Sequence, residues 1–97
     1  MSTKIDKIIE IFLYTINGDN MCFDKYAIGI TIKKIRIEKQ LSQEVLSGLA
    51  GIARSHLAMI ETGAKQANFE TICRIAIALE MKPHVLVKKI EENFPEA

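Results

Sequence analysis

The chain has 97 residues, of which 48% are hydrophobic and 26% charged, and its formal net charge is +1. This length and balance fit one small globular domain and exclude a disordered tail or a membrane protein. Cys22 and Cys73 are far apart and only two histidines are present. We therefore expect neither a disulfide framework nor a metal site, and a reducing, cytoplasmic environment is the simplest interpretation.

The first predicted element is an amphipathic helix over about residues 4–16. Thr3 and Asp6 fit a capping box, and an Asn-Gly pair follows the last apolar residue. The apolar residues recur at the spacing of one helical face, at Ile5, Ile8, Ile9, Phe12, Leu13 and Ile16. Because Glu10 interrupts this run, and the run is too short to cross a bilayer, we expect neither a signal peptide nor a membrane span.

A polar stretch then leads to five further helical patterns. They are predicted at about residues 28–39, 41–49, 54–61, 69–79 and 83–93. Ser42 and Asn68 are predicted N-caps, and Pro83 suits the first position of the last helix. No segment shows the sustained alternation of a strand, so the predicted fold class is all-α with six helices.

Gly51 separates two short helical patterns at a place where one continuous helix would favour alanine by about 1 kcal/mol. Glycine readily adopts positive φ, so the chain is expected to turn sharply here and to pack the two helices at a steep angle. Ser47 and Ala50 provide small side chains where the helices approach. The apolar residues expected to face inward are Leu46, Ile52, Leu57 and Ile60. This pattern predicts a helix-turn-helix unit.

The segment "IKKIRIEKQLSQEVLSGLAGIARSHLAMIETGAKQANFETICRIAIALEMKPHVLV" resembles the Cro/cI-type (Xre) family of helix-turn-helix DNA-binding domains. The resemblance rests on "LSQ" opening a helix, "LAG" at the turn, "IETG" closing the next helix and "IAIAL" in the one after. It implies a five-helix, lambda-repressor-like bundle over residues 27–94, preceded by the N-terminal helix and linker over residues 1–26. It also implies a transcriptional regulator, expected to be a repressor, that binds double-stranded DNA as a homodimer without a cofactor or catalysis.

In this family the helix after the turn enters the major groove, with its first residues nearest the base edges. Helical spacing turns Leu57 and Ile60 inward and leaves the opposite face for DNA. The predicted base-contacting residues are Arg54, Ser55, Ala58 and Met59. Arg54 matches the two acceptors of guanine, and the apolar side chains match a thymine methyl. Phosphate contact or solvation for Arg54, and packing on a neighbouring element for Met59, remain alternatives.

The resemblance also implies contacts to the DNA backbone, which position the protein without specifying a sequence. The predicted phosphate-contacting residues are Gln43, His56, Thr62, Lys65 and Gln66. Gln43 opens a helix, where the positive end of the helix dipole favours a phosphate. Arg36 is instead expected to form a structural ion pair with Glu61.

Three residues depart from the family pattern. Gln40 replaces the usual glycine before "LSQ", so either Gln40 takes a left-handed conformation or the helix ends differently. Ala53 replaces a capping serine or threonine, which costs about 1 kcal/mol. Gly48 weakens the helix before the turn. These departures affect the expected stability more than the expected function.

The N-terminal helix is additional to the minimal family fold. Its apolar face is expected to pack on the last helix, to pair with the same element of a second subunit, or to cap the monomer core. The residues offered by the last helix are Val85, Leu86, Val87, Ile90 and Phe94. An antitoxin or adaptor that grips a protein partner through the N-terminal helix, with secondary DNA binding, is the alternative function. An enzyme is disfavoured because no clustered carboxylates or nucleophile-base pair can be identified.

Overall fold

The computed structural model describes residues 24–93, which form five α-helices and contain no strand. The helices are α1 (Lys25–Glu38), α2 (Gln43–Ala50), α3 (Arg54–Thr62), α4 (Phe69–Ala78) and α5 (Pro83–Glu92). The all-α prediction is confirmed, and the five predicted ranges agree with these helices to within a few residues. The predicted helix over residues 4–16 and Phe94 lie outside the described residues.

Local side chains fix where three of the helices begin. The Asp24 carboxylate accepts a hydrogen bond from the Tyr26 amide at 2.9 Å and starts α1. Ser42 caps α2 through the Val45 amide at 3.0 Å, and Asn68 caps α4 through an amide of the first turn. The two N-caps predicted from the sequence are therefore confirmed, since a capping side chain needs only neighbours in the chain.

One hydrophobic core joins all five helices. Helix α1 packs against α3 and α5, α2 packs against α3 and α4, and α4 packs against α5. The largest fully buried apolar side chains are Ile28, Ile32, Leu46, Leu57, Ile60, Ile72, Ile75, Leu79, Leu86 and Ile90. Helix α3 thus lies between α1 and α2, with one face in the core and the opposite face free.

Two helices end at a residue other than glycine in the left-handed conformation. Gln40, with φ 58°, follows α1, and Glu80, with φ 61°, follows α4. After each, an amide bonds back across the helix end at 3.0 Å: Leu41 to Arg36, and Met81 to Ala76. The alternative in which Gln40 takes a left-handed conformation is therefore confirmed. These bonds satisfy helix carbonyls that would otherwise lack a partner.

Much of the apolar surface of helix α5 is buried inside the domain. Leu86 and Ile90 have no exposed surface, while Val85 and Val87 are half-buried. The last helix therefore has little free apolar surface to offer the N-terminal segment. Among residues 24–93, no helix has the length and apolar character that crossing a bilayer requires.

Candidate nucleic-acid interface

The turn between α2 and α3 is built on Gly51. Its φ is 71°, in the left-handed region, which confirms the conformation expected from the sequence. The next amide, that of Ile52, donates to the Ser47 carbonyl at 3.0 Å and closes the end of α2. Only three residues separate α2 from α3, and within them the chain changes direction before α3 begins at Arg54.

Helix α3 has one buried face and one exposed face. Leu57 and Ile60 have no exposed surface, so they anchor the helix in the core. The exposed side chains on the rest of the helix are Arg54, Ser55, Met59 and Thr62. Of the remaining candidates on this helix, Ala58 and His56 are half-buried. Met59 is 42% exposed, a large apolar side chain that faces solvent.

The start of α3 has no side-chain cap. Ala53 holds the extended conformation of an N-cap, with φ −68° and ψ 145°, but its methyl group cannot accept a hydrogen bond. The first amides of α3, beside Arg54 and Ser55, therefore receive no capping hydrogen bond from the Ala53 side chain. Such amides and the positive end of the helix dipole suit an anionic partner.

The loop after α3 is held by its own backbone. Gly63, with φ 81°, caps the helix, and the Lys65 amide donates to the Met59 carbonyl at 3.2 Å. The side chains of Lys65 and Gln66 are exposed. The Thr62 hydroxyl donates to the Met59 carbonyl at 3.1 Å, so this proton is already engaged inside the helix.

Arg36 and Glu61 pair across the α1–α3 contact. Arg36 Nε donates to Glu61 Oε2 at 2.7 Å, and Nη2 donates to Oε1 at 2.9 Å. Only 11% of the Arg36 side chain and 2% of the Glu61 side chain are exposed. The hydrogen bond that Arg36 donates to Glu61 raises the pKa of Arg36, with a smaller opposing effect of burial, so Arg36 stays charged.

The same ion pair organises the residues around the start of α2. Arg36 Nη1 donates to the Leu41 carbonyl at 2.8 Å, and Gln43 Nε2 donates to Glu61 Oε1 at 3.0 Å. Half-buried Gln43 is therefore tied to the end of α3 by one amide hydrogen bond. That bond uses one of the two amide N–H groups of Gln43 and does not involve its amide oxygen.

Two close approaches that hold α3 were missed from the sequence. A Cβ on Gly29 would overlap the backbone carbonyl groups of Ile60 and Glu61, and one on Gly63 would overlap the Tyr26 ring. A glycine inside a helix, where it is unfavourable, was the only available signal for Gly29. These contacts fix the depth at which the end of α3 sits against α1.

The described part of the chain has no cluster of three or more histidine, cysteine, aspartate or glutamate side chains that could hold a metal ion. His56 lies on α3 and His84 on α5. The arrangement around α3 is instead a projecting helix with polar, basic and apolar side chains on one face. Such a surface suits recognition of a nucleic-acid groove.

Comparison with known proteins matches these elements to a family. A helix-turn-helix family model matches residues 32–86, from α1 into α5. The "ImmF control region 10 kDa protein" of Bacillus phage phi105 is 32% identical over 74 residues, covering 72% of this chain and 82% of that protein. The family match over residues 32–86 therefore includes the turn, α3 and the residues of the Arg36–Glu61 pair.

Two solved structures share the arrangement of helices. The restriction-modification controller protein C.AhdI from Aeromonas hydrophila is 33% identical, with a TM-score of 0.62, and the match covers 65% of this chain and 96% of that one. The clp gene regulator ClgR from C. glutamicum has a TM-score of 0.69 at 16% identity, over 75% of this chain and 95% of that one. The likeness to ClgR supports the fold alone.

Proposed function

Because the chain belongs to the Cro/cI-type (Xre) helix-turn-helix family of DNA-binding transcriptional regulators, we propose that it is a sequence-specific repressor that inserts α3 into the major groove. The observation that carries the proposal is the exposed face of α3, opposite buried Leu57 and Ile60. An α-helix fits the major groove, where each base pair presents a distinct pattern of donors and acceptors. The controller role named for C.AhdI supports the same function.

Direct base contacts come from four residues of α3. Arg54, exposed at the start of the helix, donates two parallel hydrogen bonds to guanine O6 and N7. Ser55 follows it on the same exposed turn and bonds to a base or a phosphate. Met59 and half-buried Ala58 contact thymine methyl groups. Arg54 carries most of the sequence preference, since a good bidentate contact contributes about 1 to 3 kcal/mol of discrimination.

Phosphate contacts flank this base-contacting set. Lys65 and Gln66, in the loop after α3, face one strand, and His56 and Thr62 lie on α3 itself. Gln43 contributes from the start of α2, where its bond to Glu61 orients the amide and the helix dipole adds positive potential. Thr62 contributes less to phosphate contact, because its hydroxyl already donates its proton to the Met59 carbonyl.

The repressor acts as a homodimer on a palindromic operator. One α3 helix presents only a few base-contacting side chains, so a second copy is needed to recognise a full site. Two such helices reach successive major grooves when they are about 34 Å apart, one turn of B-DNA. Because a repressor needs access to cellular DNA, the proposed location of the protein is the cytoplasm.

Selection of bound fragments from random duplexes, with the purified full chain, tests this function. We expect an enriched palindrome whose half-sites are one helical turn apart, and binding that weakens steeply with salt. If binding showed no sequence preference above non-specific association, the proposed repressor function would be rejected. Such a result would favour the antitoxin or adaptor function, in which a protein partner is bound through the N-terminal segment.

A further inference from the structure

Helix α1 carries an apolar stripe on the side facing away from the core. The α1 stripe consists of Tyr26, Ile30 and Ile37, which are 57%, 58% and 55% exposed. Residues four and seven positions apart lie on one helical face, so the three side chains form a single row. The core side of α1 is occupied by Ile28 and Ile32, which are fully buried.

We propose that residues 4–16 dock on the α1 stripe of the same molecule as an antiparallel helix. The sequence of this segment has an apolar face that needs a covering surface, and the stripe is an apolar surface that none of the described helices covers. Docking removes both from water. Burying a single large apolar side chain contributes about 1.5 to 3 kcal/mol.

The lengths of the two apolar rows agree. Ile37 lies eleven positions after Tyr26 in the stripe, and Ile16 lies eleven positions after Ile5 in the N-terminal pattern. At a rise of about 1.5 Å per residue, each row is about 17 Å long. Two rows of equal length can therefore cover each other from end to end.

The connection also fits. Residues 17–24 join the N-terminal pattern to α1, and Asp24 is the N-cap that lies two positions before Tyr26. Antiparallel neighbouring helices are joined by connections of about two to eight residues. A linker this short gives the segment an effective concentration of about millimolar at the stripe, which favours its own molecule over a second copy.

Lysine side chains of α1 add to the surface that the segment would cover. Lys33 and Lys34 border the stripe in the second half of α1, and both are exposed. In an antiparallel pair joined by residues 17–24, the early part of the N-terminal pattern lies beside this half of α1. With Ile5 level with Ile37, Ile9 then comes level with Lys33. The aliphatic stem of Lys33 adds apolar cover between Ile30 and Ile37.

Hydrogen exchange of backbone amides in the full chain tests the docking. We expect amides in residues 5–16 to exchange at least about tenfold more slowly than in an unstructured chain, equivalent to about 1.4 kcal/mol. The double variant Ile30→Asp/Ile37→Asp should abolish this protection. The matched control is Ile77→Asp on α4, which changes a side chain that is 67% exposed and should leave the protection unchanged.

A reciprocal pair of variants keeps the test decisive if the double variant fails to fold. Phe12→Asp, on the apolar face of the N-terminal pattern, should remove the protection, and Tyr14→Asp, outside that face, should keep it. The proposal would be overturned if the amides of residues 5–16 in the unaltered chain exchanged as fast as in an unstructured chain. Protection that is lost on dilution, which indicates a second copy, or protection that Ile77→Asp removes would also overturn it.

Discussion

Gly29 of α1 lies so close to the carbonyl oxygen of Ile60 in α3 that no side chain fits between the two backbones. The contact lies in the first half of α1, where the last turn of α3 approaches it. It determines how far α3 is seated in the core and therefore how far its opposite face projects.

Gly29→Ala should destabilise the domain. The added methyl overlaps backbone atoms, which cannot rotate away, and overpacking of this kind costs about 1 to 3 kcal/mol. Gly48→Ala is the matched control, because nothing lies within 4 Å of a Cβ at Gly48. It should stabilise α2 by about 0.5 to 1 kcal/mol. Urea unfolding of the two variants measures both effects, and a neutral Gly29→Ala would contradict the close approach.

The Arg36–Glu61 pair should behave as one unit. Glu61 is 2% exposed, so Arg36→Met leaves a buried carboxylate without its main partner, and we expect a loss of about 3 to 5 kcal/mol. The double variant Arg36→Met/Glu61→Met should lose less than the sum of the single variants, by about 1 to 3 kcal/mol. Urea unfolding of the full mutant cycle measures this coupling.

The exposed pair on α4 is the control for that cycle. Arg74 Nη2 and Glu70 Oε1 are 3.1 Å apart, with side chains that are 52% and 73% exposed. Arg74→Met should change the free energy of unfolding by less than about 1 kcal/mol, as is usual for surface pairs. Strictly additive losses at Arg36 and Glu61 would show that the buried contact carries no special coupling.

Local features of the fold could be predicted from the sequence, whereas contacts between distant segments could not. Gly51, Ser42 and Asn68 each act on neighbours within a few residues, so residue type and spacing were sufficient. Helix α1 was predicted to start three residues late, because Tyr26 faces solvent and the apolar pattern begins only at Ile28. Because the first residues of α1 follow no apolar pattern, only the N-cap Asp24 marks the start of this helix in the sequence.

In the candidate interface, too, local features could be predicted from the sequence and contacts between distant residues could not. The exposed face of α3 follows from helical periodicity once Leu57 and Ile60 are buried. The bond from Gln43 to Glu61 joins residues 18 positions apart, and no pattern in the sequence indicates it. The half-buried state of His56 and Ala58 also depends on neighbouring elements, which periodicity within α3 does not describe.

Arg54→Ala should relax sequence preference at one base pair of each half-site. Loss of a bidentate contact to guanine removes about 1 to 3 kcal/mol of discrimination at that position, with little change elsewhere. Arg54→Lys keeps the charge but not the two parallel donors, so it should recover affinity more than preference. Fragment selection with the three proteins compares them, and an unchanged preferred sequence for Arg54→Ala would exclude the guanine contact.

Lys65→Ala should weaken binding to all duplexes alike. If Lys65 neutralises one phosphate, its loss reduces the slope of log affinity against log salt by about 0.9. Lys88→Ala, which removes an exposed lysine from α5, should leave the slope unchanged. Titrations of one operator and one unrelated duplex at several salt concentrations measure the slopes. Equal slopes for the two variants would place Lys65 away from the DNA backbone.

Ala53→Ser should give α3 the cap that it lacks. Ala53 already has the extended backbone of an N-cap, so a serine hydroxyl can accept a hydrogen bond from an amide of the first turn, for a gain of about 1 kcal/mol. Lys82→Ser is the matched control, since Lys82 begins α5 in the same conformation, also without a side-chain cap. Both variants should raise the midpoint of urea unfolding, but only Ala53→Ser, beside the proposed DNA-contacting residues, should alter operator affinity. A gain in stability from Lys82→Ser without one from Ala53→Ser would mean that the start of α3 is already satisfied in another way.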